Sequence, residues 1–363
     1  MSDVRRILVI LPNWVGDVVL ATPVLVALRR RFPDARITYL CRAYVSDLVG
    51  AGELCDACIH WPAGTRGWPA FIRRLRRERF DLALLMPNSF RSALAAWLSG
   101  AVRRIGYARD GRGWLLTDRL APPRDGRRFR PVTMVDYYAA LLEPLGARIA
   151  ERRPTLAVGA ADEAAIAGRL GPRDPRRPRV VLNPGGAFGS AKLWPAERFA
   201  ALADALVERA DAEVIVTGTP GERAIAAAIR AAARHALVYC FEPPLGLGPL
   251  KALVCDADLL VTNDTGPRHF AIAFDVPVVT IFGPTDPVWT ATAGARERSV
   301  MLTLDCMPCQ QKRCPLGHND CLRKLEVDPV LAAAEALLAD RARDRSGSRL
   351  ASAARHPAPE AAG

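Results

Sequence analysis

Polar residues follow several predicted strands at the point where each strand ends. The clearest case is the apolar strand 259–261, which runs through Asn263, Asp264, Thr265 and Gly266 into an apolar helical segment. Such a turn gathers backbone N–H groups and the positive end of a helix dipole at one point, which is the recipe for a phosphate or diphosphate site. An ordinary strand-to-helix turn capped by Asp or Thr fits the same residues. The stretch alone leaves both interpretations open.

A glycine-rich segment follows the strand predicted at 180–182 and contains Gly185, Gly186 and Lys192. Glycines allow a close backbone approach, and a loop lysine supplies a mobile positive charge that would neutralise phosphate. Glu222 follows another strand and turn, in a position typical of acids that bind ribose, although the Gly-x-Gly-x-x-Gly fingerprint is absent. His269 starts the helix after Gly266, where it would reach the same ligand or serve in capping and packing. Because parallel strands end at one edge, these turns are expected to form one site.

In the first half, Asp17 comes directly after Gly16 at the first strand-to-helix turn. A carboxylate so placed would act as general base for an acceptor hydroxyl. A helix N-terminal acid favoured by the helix dipole is the alternative. Asn88 and Arg91 again place polar groups just after a strand.

Four cysteines near the C-terminus are spaced C-x2-C-x4-C-x6-C: Cys306, Cys309, Cys314 and Cys321. Thiolates in such a pattern hold a structural zinc ion or an iron–sulfur cluster. The intervening prolines and the lack of a second C-x2-C at zinc-ribbon distance weigh against a metal. The cysteine spacing by itself still predicts a structural metal site, to which no part in catalysis is assigned.

The basic residues are concentrated in the first half of the chain. The net charge is +12, and residues 1–178 hold 30 Arg against 17 acids, whereas residues 179–363 are almost neutral. This imbalance indicates an anionic partner such as nucleic acid, a membrane surface or an acidic glycolipid. Nucleic acid is disfavoured because no recognised binding motif occurs and the arginines lack interleaved aromatics.

Strands alternate with helices in both halves, which predicts two doubly wound α/β units with parallel sheets. A Pro-rich charged stretch at 171–178 predicts the linker between a domain at 1–175 and a domain at 179–343. Residues 103–130 are predicted as a long exposed basic loop, and residues 344–363 as a disordered tail. No apolar run is long enough to span a bilayer and no signal-peptide pattern occurs, so the sequence is interpreted as cytoplasmic.

Taken together, the motifs resemble glycosyltransferase family 9, and within it the type II lipopolysaccharide heptosyltransferases. The resemblance spans about residues 5–340 in colinear order and lies in residues 12–17, 86–92, 183–195 and 263–284. It implies a GT-B fold of two Rossmann-like domains, the first binding the acceptor and the second the nucleotide sugar. The implied reaction is metal-independent, inverting transfer of heptose from ADP-heptose to heptosyl-Kdo2-lipid A at the cytoplasmic face of the inner membrane.

The resemblance also implies roles for individual residues. Asp17 would deprotonate the acceptor, and Lys192 would stabilise the leaving diphosphate. The implied donor-binding residues are Gly185, Gly186, Glu222, Asp264, Thr265, Gly266 and His269, and the implied acceptor-binding residues are Asn13, Asn88 and Arg91. No cofactor is required for catalysis, and the enzyme would act as a monomer, peripheral to the membrane. Pro267 and Arg268 depart from many family members, so Arg268 is expected to contact phosphate or alter acceptor choice.

Three other functions fit the same residues. A type I heptosyltransferase, or another family 9 enzyme with a different sugar or acceptor, would share every motif. A UDP- or GDP-sugar transferase or epimerase would use the same phosphate turns. A nucleotide-binding module would bind without turnover, so it differs from the enzymes in releasing no ADP.

Overall fold

The fold is built on two six-stranded parallel sheets that follow one another along the chain. The computed structural model describes residues 4–49, 54–126, 128–186 and 189–353, with side chains through residue 343. The first sheet has the order β3-β2-β1-β4-β5-β6. Its strands are β1 (Arg6–Ile10), β2 (Arg36–Cys41), β3 (Ala57–His60), β4 (Leu82–Leu85), β5 (Arg103–Tyr107) and β6 (Asp118–Leu120). An antiparallel hairpin follows, β7 (Arg124–Asp125) and β8 (Arg128–Phe129).

The second sheet repeats this topology in the order β11-β10-β9-β12-β13-β14. Its central strands are continuous apolar runs with both faces covered, as parallel sheets require. The strands are β9 (Arg179–Asn183), β10 (Glu213–Thr217), β11 (Val238–Cys240), β12 (Leu259–Asn263), β13 (Val278–Ile281) and β14 (Glu297–Val300). The predicted doubly wound α/β architecture is therefore confirmed.

Helices cover both sheets. Those in the first half are α1 (Val15–Arg31), α2 (Ala43–Val49), α3 (Trp68–Glu78), α4 (Phe90–Leu98), α5 (Met134–Ala139) and α6 (Ala160–Leu170). Those in the second half are α7 (Ala196–Ala210), α8 (Arg223–Ala232), α9 (Leu247–Cys255), α10 (Gly266–Ala273), α11 (Asp320–Arg323) and α12 (Val327–Ala353). None of the described helices combines the length and the apolar composition that crossing a bilayer demands.

The prediction of one long exposed loop at 103–130 is wrong. Strands β5 and β6 lie within it and extend the first sheet. Charged residues in these strands interrupt the apolar run by which a buried strand is recognised. Arg103 and Asp118 can stand there because they form an ion pair of 2.6 Å between the two strands. The tail also differs in part from the prediction, since α12 continues to Ala353. The rest of the predicted tail, 354–363, lies outside the described residues.

The two halves are joined by buried contacts between helices. Helix α1 packs on α10, and α6 packs on α9, so one cluster of buried apolar side chains runs through both halves. Two hydrogen bonds reinforce the joint. The fully buried Lys251 of the second half donates from Nζ to the carbonyls of Leu48 and Ala157 in the first half, both at 3.0 Å.

Candidate active site between the two sheets

The turns at the centres of the two sheets face each other. In each sheet the strand order reverses between two neighbours, β1 and β4 in the first and β9 and β12 in the second. Ligands of doubly wound folds bind at the carboxyl ends of such strands. A Cβ added to Gly16 would lie 2.7 Å from Cδ2 of His269, and one added to Gly266 would lie 2.9 Å from Cγ1 of Val15. Only glycine at both positions lets the loops after β1 and β12 come this close.

Asp17 lies in the first turn of α1, directly behind that contact. Burial raises the pKa of Asp17 from 3.8 to about 6, and the positive charge of Lys192 from the second half acts in the opposite direction. Burial, followed by the charge of Asp17, raises the pKa of the neighbouring Tyr138. At pH 7 the Asp17 carboxylate is ionised. Its pKa lies near the working pH, which is what an efficient general base needs.

Lys192 is held in place and is not a mobile charge. It ends the short 3-10 turn Ser190–Lys192 after the glycine-rich segment, and its side chain is almost fully buried. Its Nζ donates to Oδ2 of Asp264 at 2.5 Å and to the Asp264 carbonyl at 3.0 Å. Thr285 donates to the same carboxylate at 2.8 Å. Burial favours a raised pKa for Asp264, but Lys192 and Arg268 outweigh it and lower that pKa.

Arg268 is committed to an ion pair inside the protein. Its Nε and Nη2 donate to the two carboxylate oxygens of Glu297 at 2.6 and 2.8 Å, and its Nη1 donates to Thr290 at 2.6 Å. The same Nη1 lies 3.6 Å from Oδ1 of Asp264, and the guanidinium stands 5.1 Å from the centre of the Phe282 ring. The expectation that Arg268 contacts phosphate therefore has no support, because its donors already have protein acceptors.

His269 is buried between the two halves. Burial and the charge of Arg268 lower the pKa of His269 to about 3, so its imidazole is neutral at pH 7. Its Nδ1 has no hydrogen-bond partner among the described residues. The ring edge that faces Gly16 places His269 beside the turn that carries Asp17.

Two further turns of the second sheet are tied together by Glu222. Its Oε1 accepts from the Gly186 N–H at 2.8 Å, and its Oε2 accepts from the Thr219 N–H at 2.7 Å. A Cβ on Gly185 would lie 2.0 Å from Oε1, so the carboxylate fits only against glycine. Asn263 completes the brace, because its Nδ2 donates to the Gly185 carbonyl at 3.0 Å. The residues predicted to bind donor are thus assembled on one sheet edge.

On the opposite side, a buried arginine organises the turn after β4. Arg112 donates to the carbonyl of Pro87, to Oγ of Ser92 at 3.0 Å and to Oδ1 of Asn88 at 3.3 Å. The Tyr137 hydroxyl donates to the same Asn88 oxygen at 3.2 Å. Burial lowers the pKa of Arg112 to about 10, which leaves it charged at pH 7.

Asn13 and Arg91 share a small pocket beside this turn. Arg42 and Trp61 also line it. The guanidinium of Arg91 lies 4.8 Å from the centre of the Trp61 ring and 5.3 Å from that of Trp68, which orients the charge by cation–π contact. Two arginines and an amide at the edge of the cleft suit an anionic, hydroxyl-rich ligand.

Known proteins resemble this chain along almost its whole length. The profile described as glycosyltransferase family 9 (heptosyltransferase) matches residues 68–319. The chain belongs to glycosyltransferase family 9. Lipopolysaccharide heptosyltransferase 2 of Salmonella typhimurium is 28% identical over 352 residues, which cover 92% of this chain and 99% of that protein. Lipopolysaccharide heptosyltransferase 1 of Pseudomonas aeruginosa is 25% identical over 331 residues, covering 88% and 90%.

A solved family 9 structure has the same fold. The structure of E. coli ADP-heptose lps heptosyltransferase II superposes with a TM-score of 0.76 at 26% identity, covering 92% of this chain and 99% of that one. The predicted GT-B fold and the predicted family are confirmed, and the chain is a heptosyltransferase-type enzyme. Both type 1 and type 2 enzymes align with this family member, so the family alone leaves the transfer step open.

The four cysteines of the cluster lie close together in this family 9 chain. All four cysteines, with His318, line one small enclosed cavity near Pro284. Within residues 4–49, 54–126, 128–186 and 189–353, no three His, Cys, Asp or Glu side chains are placed to hold a metal ion. The expected structural zinc or iron–sulfur cluster is therefore unsupported.

Three residues of the site were missed by the sequence reasoning: Arg112, Thr285 and Glu297. Thr285 follows β13 in a Gly-Pro-Thr-Asp-Pro turn, and its place at the carboxyl edge is a signal that could have identified it. Arg112 is one arginine among many, and Glu297 begins an edge strand. Neither carries a local signal, because the partners of Glu297 and most partners of Arg112 lie far away in sequence.

Proposed function

We propose that this enzyme transfers L-glycero-D-manno-heptose from ADP-heptose to the heptosyl-Kdo2-lipid A core of lipopolysaccharide with inversion at the anomeric carbon. One observation carries the proposal: Asp17 of the first half lies close enough to Lys192 of the second for the lysine charge to lower its pKa, beside the contact of Gly16 with His269. A base and a cation on opposite sides of one cleft are what displacement of a nucleotide from a sugar requires.

The residues divide the reaction between the two halves. Asp17 takes the proton of the acceptor hydroxyl as that oxygen bonds to the anomeric carbon. The bond from that carbon to the ADP oxygen breaks at the same time, and its electron pair leaves with ADP. Lys192 and the N-terminus of α10, at Thr265 and Gly266, stabilise the negative charge that develops on the diphosphate.

The remaining predicted residues position the two substrates. Glu222 braces the Gly185–Gly186 turn, and its carboxylate is suited to accept hydrogen bonds from ribose hydroxyls. Asn13 and Arg91 offer an amide and a cation to the acceptor at the edge of the first sheet. The excess of arginine in the first half favours an anionic acceptor. The phosphorylated and carboxylated lipid core is such an acceptor.

Substrate panels test the proposal. Purified protein is incubated with ADP-heptose and heptosyl-Kdo2-lipid A, and ADP release and the mass of the glycosylated lipid are followed. We expect release that depends on this acceptor, and no release with UDP- or GDP-sugars. Turnover only with Kdo2-lipid A would show a type I enzyme instead. The absence of ADP release with every pair would refute heptosyl transfer and leave a nucleotide-binding module, which a direct ADP-binding measurement would detect.

A further inference from the structure

Helix α4 buries its small side chains and exposes its large apolar ones, which is the reverse of an ordinary surface helix. Its small residues, including Ala93 and Ala96, are completely buried, while Phe90 and Trp97 are 44% and 46% exposed. Burying large aromatic side chains is normally among the strongest contributions to folding. Large rings facing outward over an alanine face therefore point to a partner outside the folded chain.

The outward rings of α4 belong to a continuous surface, here called the aromatic face: Phe90, Trp97, Trp114 and Phe129. Trp114, which is 61% exposed, has its ring centre 6.4 Å from those of both Phe90 and Trp97. Phe129 lies on the β7–β8 hairpin, and Arg109, in the turn before Trp114, holds its guanidinium 4.0 Å from the Phe129 ring centre. The hairpin thus leans on the loop that presents Trp114.

Positive charge lies beside the Phe129 end of the aromatic face. Residues 88–130 contain ten Arg and three acids; of these, Arg112 is buried, and Arg103 is paired with Asp118. Arg124 lies 4.7 Å from the Phe129 ring centre, and both Arg124 and Arg128 are exposed on the hairpin. In the second half, by contrast, the exposed large apolar residues of the described chain are Val238, Val288, Met301 and Leu316, without an aromatic among them.

The aromatic face borders the predicted acceptor pocket. Phe90 begins α4, and its neighbours Ser89 and Arg91 line the pocket that contains Asn13. A ligand held there by its polar end would extend its other end toward Phe90 and the rings beyond it. This arrangement fits a lipid whose apolar part stays in a bilayer while its sugar enters the cleft.

We propose that the aromatic face docks on an anionic phospholipid bilayer and brings the acceptor pocket to the lipid headgroups. Tryptophan and phenylalanine insert at the level of the headgroups, and the neighbouring arginines are attracted by the negative surface potential. Protein interfaces instead deplete charge at their centre, whereas two arginines, Arg109 and Arg124, stand over the Phe129 ring of this face. Only the statement that an acceptor lipid enters the pocket rests on the proposed function.

Vesicle binding by the full chain tests the docking surface without donor or acceptor. Vesicles of phosphatidylcholine alone are compared with vesicles containing phosphatidylglycerol, at low and at high salt, by cosedimentation. We expect binding to the anionic vesicles that weakens at high salt. The double variant Trp97→Ser/Trp114→Ser should lower the partition coefficient by at least about tenfold, because two interfacial rings are lost.

A matched pair of exposed apolar residues provides the control. Val238→Ser/Leu316→Ser removes apolar side chains from the second half and should leave vesicle binding unchanged. Thermal melting must give both double variants the midpoint of the wild type, and the exposure of all four side chains makes this the expected result. Equal loss of binding in both variants, or equal binding to neutral and anionic vesicles, would overturn the proposal.

Two further outcomes separate this inference from its alternatives. If light scattering finds a dimer that Trp97→Ser/Trp114→Ser dissociates, a second copy of the chain covers the face and the bilayer proposal is wrong. If the enzyme proves not to transfer heptose, vesicle binding is still measured and decides the docking by itself. With active enzyme, the Trp double variant should keep turnover on detergent-dispersed acceptor and lose it on vesicle-embedded acceptor.

Discussion

The pH dependence of turnover follows directly from the burial of Asp17. With a pKa of about 6, this carboxyl is about 90% ionised at pH 7 and about 10% ionised at pH 5. If ionised Asp17 is the base, kcat/KM should therefore fall about tenfold between pH 7 and pH 5. An aspartate with the ordinary value of 3.8 would stay more than about 90% ionised at pH 5, so the rate would hardly change.

The same shift predicts a stability effect of opposite sign. Because the folded-state pKa is raised above the unfolded value, Asp17 destabilises the fold as the pH rises from about 4 to about 6, and the loss is complete at pH 7. A difference of about two pKa units corresponds to about 3 kcal/mol. Asp17→Asn should therefore raise the free energy of unfolding at pH 7 by up to about 3 kcal/mol while lowering kcat at least about 100-fold.

The assay is coupled ADP release at saturating and limiting acceptor from pH 5 to pH 8, with urea unfolding of the same proteins. His269→Gln is the control, because a group with a pKa of about 3 does not titrate in this range and the acid limb should stay in place. Lys192→Gln should move the limb to higher pH, since Lys192 lowers the pKa of Asp17. A flat profile in the wild type, or a limb that disappears in His269→Gln, would refute the reasoning.

Three other substitutions test the packing of the site. Gly16→Ala would place a methyl 2.7 Å from an imidazole carbon of His269, so we expect about 1–3 kcal/mol of destabilisation and a lower kcat. Thermal melting and ADP release measure the two effects, and unchanged kinetics would contradict the close contact. Arg112→Met leaves several buried hydrogen-bond acceptors around the turn after β4 unsatisfied. It should raise KM for the acceptor substrate while KM for ADP-heptose stays the same, and a change in the KM for ADP-heptose alone would argue against this role. Glu297→Gln removes the charge that pairs with Nε and Nη2 of the buried Arg268 and should cost about 3–5 kcal/mol in urea unfolding. The matched change Glu326→Gln at an exposed pair should cost under about 1 kcal/mol, and similar losses would contradict the buried pair.

The central strands could be predicted from the sequence because each is an uninterrupted apolar run. Residues 7–11, 180–182 and 259–261 read as buried strands, and the structure places β1, β9 and β12 there. The edge strand β3 was predicted correctly, whereas the other edge strands, β6, β11 and β14, were missed. β6 and β14 are short and carry charged residues such as Asp118 and Glu297, whose ion-pair partners lie on β5 and on α10, so their apolar pattern is interrupted.

By itself, the sequence determined the chemical character of the candidate site: glycine turns after strands, a carboxylate in the first half and a lysine in the second. These features are local, since a turn needs only its own residues to be recognisable. The tertiary structure alone decided that Lys192 is fixed by Asp264 and that Arg268 is paired with Glu297. It also decided that burial raises the pKa of Asp17 to about 6. Desolvation and ion pairing depend on which distant groups surround a charge, and only the packed fold brings those groups together.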